Sequence, residues 1–108
     1  MTSDSSLPTV VEYEMGYGAD EFGKVLCGPF SGEKSVYSCT QIARHHWSIE
    51  LSGKAFELTI KVVEKPPRKL GLFVLPVLDV IFFFAGTEAA LRDNFFHRFH
   101  QYFHKGGG

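Results

Sequence analysis

Residues 47–62 read WSIELSGKAFELTIKV, and this stretch decides the fold class. Trp47, Ile49 and Leu51 alternate with Ser48 and Glu50. Beyond Ser52, Gly53 and Lys54, the residues Phe56, Leu58, Ile60 and Val62 alternate with Glu57, Thr59 and Lys61. A period of two is the mark of a strand with one buried face. Small polar residues around a glycine supply the turn between two such strands. The stretch therefore predicts a hairpin whose two strands turn their apolar residues to one core.

Upstream, Ser35 to Ile42 is rich in strand-forming residues, and Thr9 to Met15 alternates again, so both are predicted as strands. Gly16 to Gly23 reads as a turn, Lys24 to Leu26 as a short strand, and CGPFSGEK, Cys27 to Lys34, as a loop. Downstream, EKPPRK, Glu64 to Lys69, is expected to break the sheet, because proline cannot donate to a ladder. Pro76 suits the start of a strand or a bulge. Val77 to Ala85 then carries Leu78, Val80, Phe82 and Phe84 on one face, and Asp79, Ile81 and Phe83 on the other. A strand apolar on both faces is usually covered on both.

Thr87 reads as a helix N-cap, with helix from Glu88 to about Lys105, ended by the glycines 106–108. Leu91, Phe95, Phe99, Tyr102 and Phe103 fall on one side of that helix, with Phe96 at the edge. The predicted fold is α+β: a mostly antiparallel, curved sheet of about five to six strands with one C-terminal α-helix packed on one face. It is expected as one domain over residues 1–108, with 1–7 a flexible tail and 106–108 a flexible end. One helix cannot cover both sheet faces. The face with Ile81 and Phe83 is expected to be closed by sheet curvature around a pocket, or by a second subunit.

Eleven phenylalanines in 108 residues imply a core filled largely by rings. The formal net charge of −1, and the lack of an aromatic-basic recognition motif, argue against nucleic acid. The apolar run from Leu70 to Gly86 is short for a membrane span, and Pro76 and Asp79 interrupt it. The first residues have neither a basic nor an apolar secretory region, so a cytoplasmic protein with reduced Cys27 and Cys39 is expected.

Several chemical motifs can be weighed. GADEFGKV, Gly18 to Val25, imitates a phosphate loop. It lacks the Ser or Thr that would hold magnesium, and Asp20 and Glu21 would repel phosphate. His97, His100 and His104 share a helical stripe, in which His100 and His104 have a chelating i, i+4 spacing. That stripe is a zinc or pH-sensing candidate that needs a further ligand, against a plainer reading as the wet border of an amphipathic helix. Cys27 beside His45 or His46 would make a minor thiol enzyme, although no sequence signature places them together.

The leading expectation is a small non-enzymatic module without a cofactor. It would bind a protein partner, itself included as a homodimer, or an apolar ligand. Trp47, Phe73, Ile81 and Phe83 are its expected contact residues.

Overall fold

The computed structural model describes residues 9–103. Its strands are β1 (Thr9–Met15), β2 (Tyr37–Ala43), β3 (His46–Leu51), β4 (Glu57–Leu70) and β5 (Phe73–Ala85). Its helices are α1 (Ala19–Leu26) and α2 (Ala89–Tyr102), with a short 3-10 turn at Pro29–Ser31. All strand pairs are antiparallel, in the order β1-β5-β4-β3-β2. The fold is α+β as expected, with five strands in an open sheet, so curvature does not close it into a half-barrel.

The hairpin at 47–62 forms as its alternation predicts. Trp47 lies opposite Ile60, and Ile49 opposite Leu58, and all four are buried. Leu78, Val80, Phe82 and Phe84 continue this inner face on β5. Eight of the eleven phenylalanines are buried: Phe22, Phe30, Phe56, Phe82, Phe84, Phe95, Phe99 and Phe103. Each such ring contributes roughly 1.5–3 kcal/mol on leaving water. Phe95 sits at their centre, within ring-contact distance of Phe30, Tyr37, Phe56, Phe82, Phe84, Phe96 and Phe99.

Several expectations are corrected. The segment read as a turn and a short strand is helix α1. Ala19, Phe22 and Leu26 lie on one helical face and are buried, and this outweighs the helix-breaking tendency of Gly23. Gly23 is needed there: a Cβ at this position would come within 2.9 Å of Trp47 Cζ2. EKPPRK does not break the sheet. β4 runs through it, with a register shift between Lys65 and Arg68, and Pro76 of β5 stands opposite the two prolines. No third strand pairs there, so the missing N–H groups cost no ladder bond. Thr87 is not the N-cap, a position taken by Glu88 without a side-chain cap bond. The buried Thr87 hydroxyl instead accepts from Glu57 N–H at 3.2 Å, and donates toward the Ala85 or Glu57 carbonyl. It ties the start of β4 to the end of β5.

Burial raises the Tyr37 phenol above its ordinary value of 10.0, and the Arg98 charge pulls weakly the other way. The native state thus holds this proton more tightly than the unfolded chain. Its contribution is intact below pH 10 and is lost as pH rises through the native value. Urea denaturation at pH 8 and at about pH 11 should show lower stability at the higher pH, an effect reduced in Tyr37→Phe. Phe95→Ala should cost about 3–5 kcal/mol in the same assay at neutral pH, since seven rings would lose their common neighbour.

Candidate functional site

Both helices lie on the inner face of the sheet. Phe22 of α1 meets Trp47 at 5.6 Å between ring centroids, and Phe99 of α2 meets Phe82 at 5.1 Å. The outer face has no cover among the described residues. Strand alternation places Phe73, Leu75, Val77, Asp79, Ile81 and Phe83 on that side of β5. Val10 lies opposite Phe83 on β1 and is likewise exposed. Phe83 is 42% exposed, against 1% for its inner neighbour Phe84.

Beyond the ends of β1 and β3, β4 and β5 continue as a two-stranded arm. It gives the molecule a long axis of 54 Å. Gly71, at φ +63°, makes the turn at its tip. Leu72 there is 99% exposed and Phe73 72%, with Leu70, Val74 and Leu75 also exposed. Residues 70–76 carry no charge. The base of the arm is polar and paired. Arg68 reaches Glu14 of β1 at 2.9 Å, and Lys65 reaches Asp79 at 3.6 Å.

The expected contact residues are therefore divided. Phe73, Ile81 and Phe83 share the outer side of β5. Trp47 belongs to the inner face, where it is buried against α1. It forms part of a cleft of about 340 Å³ between α1 and the β2–β3 turn, lined also by Asp20, Lys24, Gln41, Arg44 and His45. His45, at φ +63°, closes this two-residue turn, and its carbonyl accepts from Val62 N–H at 3.0 Å. The cleft sets acidic, basic and amide side chains beside Trp47 and Ala19.

Cys27, at the end of α1, is joined to Cys39 on β2 in a disulfide, with Cα atoms 5.4 Å apart. This corrects the reading of two reduced thiols: α1 packs across the edge of the sheet and brings the two into bonding range. Cys27 is not in the cleft with His45, so no thiol–imidazole pair is assembled there.

His97 and His100 are exposed on α2, and His104 lies outside the described residues. The His100 ring stacks on Phe96 and meets the edge of Tyr13, at centroid distances of 6.0 and 5.4 Å. Among the described residues, no group of three or more His, Cys, Asp or Glu side chains is placed to hold a metal. Likewise, no helix among them is long and apolar enough to cross a membrane. Compared with protein families, with curated proteins and with solved structures, the chain matches none.

The disulfide closes a loop between positions 12 apart. Replacing both cysteines by serine should lower stability by about 3 kcal/mol, read by urea denaturation. Thiol titration of the native protein, purified without reductant, should find no reactive thiol. Two free thiols would show that the cysteines are not bridged in solution.

Proposed function

We propose that this protein is a non-enzymatic docking module whose working surface is the outer face of the sheet with its arm. The partner suited to that surface is a protein presenting a flat apolar strip. One observation carries the reading: on the outer side of β5, Phe73, Leu75 and Phe83 are exposed and Val77 and Ile81 half-buried, an apolar line interrupted only by the paired Asp79, beside a core that is otherwise closed. Exposed apolar surface that is contiguous, and edged by charge, is typical of interaction sites. The face is open, so it does not enclose a small apolar ligand.

The polar groups around the line favour side-chain docking over strand addition. Pro66, Pro67 and Pro76 remove backbone donors from both free edges of the arm. Arg68 and Lys65 are already engaged by Glu14 and Asp79. Association through this face should therefore draw its attraction mainly from apolar burial. A cytoplasmic setting stays part of the proposal, and the oxidised cysteine pair makes its thiol state in the cell the test of it.

The reading requires that these side chains serve a partner and not the chain's own core. Phe83→Asp and Leu72→Asp, unfolded in urea at submicromolar protein, should each lie within about 0.5 kcal/mol of the parent. A loss of about 2 kcal/mol or more would show that the chain covers this face itself, and would overturn the docking function.

A further inference from the structure

We infer that the partner is a second copy of this chain, packed outer face to outer face about a two-fold axis that runs along β5. The inference rests on the docking reading and adds the identity and orientation of the partner. It starts from the charges that flank the apolar line. In one cross-strand row, Glu12 of β1 lies opposite Ile81 of β5, and Ile81 lies opposite Lys61 of β4. Glu12 and Lys61 are both exposed, and neither is in an ion pair among the described residues. In this row the outer face is acidic on β1 and basic on β4 with Ile81 between, while Glu57 and Glu50 make the far end of β4 and β3 acidic.

Two identical faces can meet about an in-plane two-fold axis in two simple ways. An axis across the strands lays β1 on β1 and β4 on β4. Glu12 would then approach Glu12 of the other copy, and Lys61 would approach Lys61, which costs affinity. An axis along β5 lays β1 of each copy over β4 of the other. Ile81 then packs on Ile81, and Glu12 of each copy faces Lys61 of the other, twice by symmetry. The same operation superposes the two apolar lines and sends both arms the same way, so Phe73 and Leu75 of the two copies lie side by side. On this axis Asp79 of each copy also meets Asp79 of the other, with Lys65 of its own chain at 3.6 Å as counter-ion, while Glu14 is held by Arg68 of its own chain.

The size of the contact sets the strength to expect. From Phe73 to Phe83 the line is roughly 35 Å long, roughly 15 Å wide where three strands pair and roughly 10 Å wide along the two-stranded arm. About 400 Å² per copy is below the usual 800 Å² of a stable interface, so a micromolar, exchanging dimer is expected.

Sedimentation of the full chain from about 10 to about 300 µM therefore covers the relevant range. The parent should shift from monomer to dimer across it. Glu12→Lys and Lys61→Glu should each weaken association about tenfold or more, because each sets like charges opposite one another twice. The double variant Glu12→Lys with Lys61→Glu should restore the parent's association. Asp93→Lys, on the helical layer, is the control and should leave it unchanged. A parent that remains monomeric throughout overturns the second copy as partner, and the docking function is then judged by its own stability test. A parent that dimerises, with a double variant as weak as the singles, overturns the proposed axis.

Discussion

The packing of Phe95 and Phe99 of α2 onto Phe82 of β5 is the contact on which the rest of the structure depends. Phe99 lies 5.1 Å from Phe82 and 5.6 Å from Phe95, with Phe22 of α1 and Phe30 of the 3-10 turn each at 6.2 Å. One helix turn thereby links both ends of the chain's helical layer to the middle of the sheet. A five-stranded sheet twists and has a single continuous inner face. Ring volume suits that face, because few side chains then fill the space between layers. All the helical cover is committed to this side, and the bareness of the outer face follows from it.

That asymmetry explains features that look unrelated in sequence. A sheet with one covered face needs only alternating strands, which is what β1, β3 and the first half of β4 supply. β5 departs from the pattern because it carries apolar residues on both sides. Its outer residues lie in the middle of the bare face, flanked by Glu12 on one side and Lys61 on the other. The arm departs too, since it has no inner layer at all. Its shape is kept by the β4–β5 ladder and by two ion pairs at its base, each worth no more than about 1 kcal/mol. Such a ribbon is held in register more than it is stabilised, which suits a segment that gains its burial from another molecule.

Much of the sheet was legible in sequence, because a two-residue period survives whatever the neighbouring strands are. The 47–62 hairpin, β1 and the inner face of β5 follow from that period. The C-terminal helix follows from the spacing of Leu91, Phe95, Phe99 and Phe103. Helix α1 was hidden because Gly18 and Gly23 punctuate it and only Ala19, Phe22 and Leu26 carry its buried face. The arm was hidden because proline usually ends a strand, and only pairing reveals that these prolines sit beyond the third strand. The cysteine bridge needed the placement of α1, since a sequence separation of 12 fixes no distance by itself. Of the expected contact residues, Phe73, Ile81 and Phe83 share a face by simple parity. Trp47 has the parity of the core in its own hairpin, and its alternation with Ser48 already assigned it inward.

An uncovered apolar line on a sheet carries a risk of indiscriminate association, and the charges around this one bear on that risk. Neutral flanks would let two faces slide or invert at little cost. Glu12 on one side and Lys61 on the other disfavour the inverted arrangement, because like charges would then meet. The arm adds a second restriction: its proline-bearing edges resist the strand-to-strand pairing that drives open-ended assembly. On the docking reading, the face would be selective through what it disfavours. Its apolar centre supplies attraction, while Glu12, Lys61 and the three prolines limit the ways in which that attraction can be satisfied.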